Sequence, residues 1–213
     1  MDRLYKGIHQ FQASHFRREE EFFRRLSKGQ QPEVLFITCA DAQVDPNLVT
    51  QSKPGELFIL RNVGNIIPPY TGGREKTSTA AALEFAVLVL KVSDIIVCGH
   101  SNCGAMAVLR NEGVLYRTMP HLSEWVRIAD PVRRMMARHY RETPDDLKHR
   151  IMEKENVLFQ LGNIETYPFV ENALEAGALR LHGWYYDIAT GQITAYNPDS
   201  DIFENVLTPD RID

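Results

Sequence analysis

The chain reads as a single α/β domain with a mainly parallel central sheet. Three observations predict this. Short apolar runs at 33–38, 57–63 and 95–98 have strand length and composition, and each is followed by a segment with helical periodicity. That alternation is how parallel sheets are built. The run ends in a Trp-Tyr-Tyr strand at 182–187 that Gly191 turns back into 192–196, a closing hairpin. A length of 213 residues suits one good-sized domain, and 44% hydrophobic with 24% charged residues is an ordinary globular balance.

Residues 1–29 form an N-terminal helical arm. Leu4, Ile8, Phe11, Phe16, Phe23 and Leu26 recur mostly at helical steps with Arg and Glu between them, Ser14 is placed to cap a second helix, and Gly29 ends the arm. Because this wide apolar stripe precedes the first strand, it must pack on its own domain or on a neighbouring subunit. The domain proper is expected over 30–213. Asp45 before Pro46 opens a short helix over 46–51, and Pro54-Gly55 turns the chain into the second strand. After a Pro- and Gly-rich loop at 68–77, residues 78–90 form a helix so apolar all round that burial on several sides is expected. Further helices are expected from 103, over 121–139 and 145–161, the last running into one over 165–180. There is no internal repeat or low-complexity tract.

The bulk numbers exclude several classes. A formal net charge of −4, with the Arg pairs at 17–18, 24–25 and 133–134 set among acids, argues against a nucleic-acid partner. No apolar run approaches the ~20 residues that span a bilayer, and the first ten residues hold no signal-peptide core. Three cysteines fit thiols used as ligands in a reducing compartment, hence a cytoplasmic expectation, with a bacterial microcompartment as the alternative.

The segments that carry chemistry are ITCADAQ (37–43) and VCGHSNCG (97–104). Both follow apolar runs, so Cys39, Asp41, His100 and Cys103 lie at the C-terminal ends of strands, where parallel sheets bind ligands. Two thiolates and an imidazole make a zinc ligand set with a fourth position for water, substrate or Asp41. Cys98, one step off the motif, is read as packing. His9, His15, His121, His139, His149 and His182 are read as surface or satisfied core histidines.

These residues resemble the β class of carbonic anhydrases, which carries C-x-D-x-R on one strand end, H-x-x-C on the next, and a segment like PGELFILRNVGNIIPPY (here 54–70) between them. The resemblance runs from about Gln30 to about Tyr196. It implies one Zn2+ per subunit, dimers or multiples of dimers, and interconversion of CO2 and bicarbonate. It also implies that Gln30, Phe58, Val63 and Phe85 face the substrate pocket, partly across a dimer interface. Gly104 offers a backbone N–H near the same place. Phe36 and Thr38 stand where one regulated subgroup has Trp and Gly, so that regulation is not expected. The departure is Ala42-Gln43 in place of the family's Ser-Arg. In the family the Arg holds the Asp carboxylate by charge-assisted hydrogen bonds, about twice as strong as neutral ones. Asp41 and Gln43 are therefore the expected catalytic pair, weakened, with Asp41 free to become a fourth zinc ligand. A catalytically silent zinc protein, and a hydrolase of a CO2-like molecule such as carbonyl sulfide, are the alternatives.

Overall fold

The computed structural model describes residues 1–74, 76–111 and 118–206. Residues 207–213 of the expected domain, and Glu75 of the expected loop, lie outside these. Among the described residues the sheet has six strands: β1 (Val34–Cys39), β2 (Leu57–Asn62), β3 (Asp94–His100), β4 (Arg180–Tyr186), β5 (Ile193–Asn197) and β6 (Ile202–Asn205). Their order is β2-β1-β3-β4-β5-β6. The first four are parallel and the last two antiparallel. The hairpin is present as expected, and β6 adds a further antiparallel strand that the sequence reading did not contain.

Alternation along β1 and β3 divides the core. Leu35, Ile37, Ile95 and Val97 meet Val157, Ile164 and Leu83 on one face. Phe36, Ile96 and Cys98 meet Trp184 and Tyr186 on the other, with the Phe36 and Trp184 rings edge to face at 6.0 Å. Cys98 is 1% exposed, as a packing residue should be. The helices are α1 (Asp2–Gln10), α2 (Glu20–Leu26), α3 (Pro46–Thr50), α4 (Ser78–Glu84), α5 (Gly104–Arg110), α6 (Pro120–Val126), α7 (Asp130–His139), α8 (Asp145–Glu165) and α9 (Pro168–Glu175). Asp45 caps α3 as expected, accepting from the N–H groups of Asn47 and Leu48. The long helix α8 lies tightly on β3 and β4. A Cβ at Gly99 would stand 2.7 Å from Val157, so only glycine permits this approach.

α8 also carries a buried polar row. Asn156 Nδ2 donates to the Gly64 carbonyl, Gln160 Oε1 accepts from Ile67 N–H at 2.7 Å, and Asn163 Nδ2 donates to the Ile67 carbonyl at 2.7 Å. The segment after β2, which has no regular ladder of its own, thereby has its backbone groups satisfied. No helix among the described residues is long and apolar enough to cross a membrane.

Several expectations are corrected. The helix expected over 165–180 breaks at Tyr167-Pro168 and stops at Glu175, because Gly177 takes a left-handed φ of 65° and Arg180 already pairs in β4. The stretch 121–139 is two helices, α6 and α7, joined by a tighter turn at Arg127–Ala129 just before Pro131. Ser14 is no cap; its hydroxyl donates back to the Gln10 carbonyl inside the arm. Burial all round 78–90 does not hold: Phe85, Leu88 and Val89 are 42%, 51% and 62% exposed. One side of this element meets the sheet, and the rest is apolar surface on the isolated chain. The arm likewise contributes no buried residue from Asp2 to Leu26. It folds on itself through Phe11, Phe16 and Phe23 and touches the body where Leu26 lies against Gly55.

Candidate metal centre

β1 and β3 are neighbours and parallel, with Thr38 opposite Cys98, so Cys39 and His100 emerge at the same end of the sheet. After His100 the chain reverses through Asn102, whose φ of 59° is left-handed, and Cys103 stands at the start of α5. The two sulfurs and a ring nitrogen of His100 all lie within 4.8 Å of one another. Cys39, His100 and Cys103 are 4%, 1% and 2% exposed.

Each donor is held. The Gly64 N–H donates to Cys39 Sγ at 3.3 Å. Gly64 has φ 80°, and a Cβ there would sit 2.8 Å from that of Ala105, so the residue must be glycine for this N–H to reach the sulfur. The N–H groups of Met106 and Ala105 face Cys103 Sγ. His100 Nδ1 lies 3.0 Å from the Ser101 carbonyl, which only accepts, so Nδ1 carries the hydrogen and Nε2 the lone pair. Nε2 is buried without a hydrogen-bond partner. A carbonyl on one ring nitrogen with the other facing two thiols is how metal-ligating histidines are oriented. The donor set therefore fits zinc. Electrostatics agree. The hydrogen bond from the Cys103 thiol, helped by the neighbouring His100 ring and the Gly64 N–H, pulls the Cys39 thiol well below its ordinary range despite burial. Cys103 is pushed up, because its thiol proton is held against the Cys39 thiolate and by burial. Burial alone would lower His100, but the neighbouring Cys39 thiolate, which favours the protonated ring, outweighs it and raises it. A divalent cation resolves this competition by replacing the shared proton.

Asp41 follows in the turn after β1 and is not among the three gathered donors. Its Oδ1 accepts the backbone N–H of Gln43 at 2.9 Å. The turn is pinned from β2: Arg61 Nε donates to the Cys39 carbonyl at 3.1 Å and its Nη2 to the Asp41 carbonyl.

The carbonic anhydrase family model matches residues 34–193. The chain belongs to the carbonic anhydrase family. Among its curated relatives are "Carbonic anhydrase" of Synechocystis, 42% identical over 92% of this chain and 71% of that protein, and "Carbonic anhydrase 1" of Escherichia coli O157:H7, 44% identical over 92% and 88%. Among solved structures, the β-carbonic anhydrase CcaA superposes with a TM-score of 0.94 at 40% identity, covering 97% of this chain and 99% of that one. One of two tetrameric β-carbonic anhydrases from Sordaria macrospora does so with 0.81 at 28% identity, covering 92% and 97%.

Within this family frame, the other expected site residues separate into two groups. Val63 is adjacent to Gly64, at the rim of the metal centre, and its carbonyl accepts from Trp125 Nε1 at 2.7 Å. Gly104 opens α5 directly after Cys103. Gln30 is not brought near the centre in its own chain. It lies beside Glu33, Lys91 and Ser93 at the start of β1, a strand length of about 20 Å from Cys39. Phe58 and Phe85 pack on each other, ring centroids 5.7 Å apart, on the β2 edge of the sheet.

Sequence reasoning missed Gly64, Arg61 and, above all, Glu153. This carboxylate is 2% exposed. Oε1 accepts the Cys103 peptide N–H at 2.8 Å and Oε2 the Tyr185 hydroxyl at 2.7 Å, and His149 Nε2 lies 3.0 Å from Oε1. Burial, with the hydrogen bond to Glu153, raises Tyr185 so that it stays a donor. A partial signal was present in the sequence: Glu153, Asn156, Gln160 and Asn163 recur at three- and four-residue steps, on one side of a helix.

Proposed function

We propose that this chain interconverts CO2 and bicarbonate through one zinc ion held by Cys39, His100 and Cys103, at a rate lowered by Gln43. The observation that carries this reading is the buried three-donor set with the unpartnered Nε2 of His100 aimed into it. Bound there, zinc supplies a Lewis acid that makes a nucleophile from water near neutral pH. The residues do the remainder. Two thiolates and a neutral imidazole balance the ion's charge, and Gly64 N–H and Glu153 hold those ligands in place. The Asp41 carboxylate, oriented by the Gln43 N–H and the Arg61-pinned turn, would accept a hydrogen bond from the nucleophile and so direct its lone pair at CO2. Val63 gives the rim of an apolar pocket suited to a small apolar gas. Gln30, Phe58 and Phe85 complete it from a second copy, consistent with their distance from the centre in one chain and with exposed Phe85, Leu88 and Val89. The assembly is a dimer or a multiple of dimers; a relative of similar fold is tetrameric. Reduced thiol ligands suit the cytoplasm.

A second reading has Asp41 swing onto the zinc and silence the site. The observation behind it is that Asp41 is held by one neutral backbone N–H, with no cation at 43. Stopped-flow CO2 hydration by the zinc-loaded chain and its Gln43→Arg variant decides between them, with carbonyl sulfide hydrolysis as a parallel assay. The expected result is measurable hydration that rises roughly tenfold in the variant, the effect of replacing a neutral hydrogen bond by a charge-assisted one. No hydration by the unmodified chain, with recovery in the variant, would establish the closed site. Turnover of carbonyl sulfide without CO2 hydration would move the substrate. Equal rates would show that the cation is dispensable here.

A further inference from the structure

The long helix α8 meets the segment after β2 and the start of α5 with one row of polar side chains, Glu153, Asn156, Gln160 and Asn163. Three of these are neutral amides, and they satisfy backbone groups of Gly64 and Ile67. The carboxylate stands where the row touches a metal donor, at the peptide N–H of Cys103. It is 2% exposed. Burying a charge is costly where an amide would serve as acceptor. The groups around Glu153 are those that an ionised carboxylate gathers. Oε1 accepts the Cys103 N–H at 2.8 Å and Oε2 the Tyr185 hydroxyl at 2.7 Å, while His149 Nε2 lies 3.0 Å from Oε1.

The other side of Cys103 pulls the opposite way. The N–H groups of Ala105 and Met106, at the start of α5, face its sulfur and draw charge from it. Both weaken a thiolate as a metal donor. A negative charge held at the peptide of the same residue offsets that withdrawal, and does so most strongly where water is excluded. The ordinary reading is that Glu153 only satisfies buried donors, which two oxygens do better than one. That reading puts the whole effect in stability and none at the metal.

We propose that Glu153 is a positioning residue whose charge, applied at the Cys103 peptide, keeps the Cys103 thiolate a strong zinc donor. The inference rests on the zinc reading above and adds that the charge of the carboxylate, beyond its hydrogen bond, sets the grip on the ion.

The test uses the full-length protein. Zinc affinity is read by competition with a chromophoric chelator, and cobalt loading gives the near-ultraviolet sulfur-to-metal absorption band. Glu153→Gln keeps an acceptor for the Cys103 N–H and removes the charge. Its zinc affinity should fall about tenfold, the lower end of what residues behind metal ligands contribute. Its cobalt band should move to shorter wavelength, because the sulfur gives up electrons less readily. His149→Lys, at a side chain 18% exposed, sets a fixed cation beside the carboxylate and leaves the Cys103 hydrogen bond in place. It should move both readouts the same way by a smaller amount, and it decides the question alone if Glu153→Gln does not fold. Tyr185→Phe removes a hydrogen bond and keeps the charge. Its melting temperature should fall while zinc affinity and the cobalt band stay at the parent values. Parent values of affinity and band in every charge variant that folds overturn the proposal. So does a loss of affinity in Tyr185→Phe equal to that in the charge variants, which reduces the effect to loosened packing. Both of those outcomes leave zinc binding by the parent intact. A parent that binds neither metal overturns the zinc reading, and this inference with it.

Discussion

The metal centre and the N-terminal arm are both rich in groups that need partners, and they differ in where the partners come from. Around Cys39, His100 and Cys103 nearly every buried polar group is satisfied within the chain, by the Gly64 N–H, Glu153, Asn156, Gln160 and Asn163. Among the buried atoms left without a partner, His100 Nε2 is the one that faces the two sulfurs. The arm has the opposite character. Leu4, Tyr5, Ile8, Phe11 and Phe16 are 38–55% exposed, and Phe85, Leu88 and Val89, which follow α4, are exposed as well. Exposed apolar clusters of this kind are surfaces that an interface would cover. The contrast is that the centre is held together within the chain, whereas the arm leaves its apolar side chains exposed.

The largest effect should come from removing a donor. Cys39→Ser is expected to drop zinc from about one per chain to a small fraction and to bring CO2 hydration near background. Elemental analysis after dialysis reads the first and stopped-flow the second. Zinc retained at one per chain would mean that the three side chains are not the ligand set.

Next is the arm. Deleting residues 1–29, or converting Phe11 and Phe16 to Arg, should shift sedimentation from a dimer or larger species towards monomer. Leu88→Arg should do the same if the two apolar surfaces belong to one interface. An unchanged sedimentation profile in all three would leave the arm without a role in assembly and break the comparison.

A smaller effect is expected behind the centre. Glu153→Ala leaves the Cys103 N–H and the Tyr185 hydroxyl buried without acceptors. Each such group costs about 1–3 kcal/mol, so a fall in melting temperature of roughly 5–10 °C is expected. Glu153→Gln, which keeps an acceptor oxygen, should lose less. A melting temperature within about 2 °C of the parent for the alanine variant would show that the network is not stabilising.

The smallest effect lies at the other end of the sheet. Arg180, Ser93 and His182 hold the Asp94 carboxyl well below the usual carboxylate range, with the Arg180 hydrogen bond the largest cause. A depressed folded pKa stabilises above the unfolded value, about 3.9 for Asp, and that contribution is lost as pH falls further. Arg180 is largely solvated, so Asp94→Asn should lower the melting temperature at pH 7 by only about 1–3 °C. The difference should shrink steadily below about pH 4. A difference that instead grew in acid would reverse the sign assigned to this pair.

Legibility followed the range of the interaction. Apolar runs, the Asp45-Pro46 start of α3 and the hairpin at Gly191 are encoded by neighbours in the chain, and they stand where the sequence puts them. The break before α9 was misread because Pro168 suits the first turn of a helix, so a helix started at 165 accommodated it. The over-buried reading of 78–90 came from treating apolarity as burial within one chain.

By itself the sequence determined which donors the site has. Two cysteines and a histidine at two strand ends are a local pattern, and so is the absence of a cation at 43. Tertiary structure alone decided what holds those donors. Pairing Thr38 with Cys98 sets the ends of β1 and β3 side by side, and Glu153 reaches the Cys103 N–H across fifty residues of chain. Periodicity reports which face a residue occupies but not which distant residue meets it. That meeting depends on sheet register and on how closely α8 can approach Gly99, and both exist only once the core has packed.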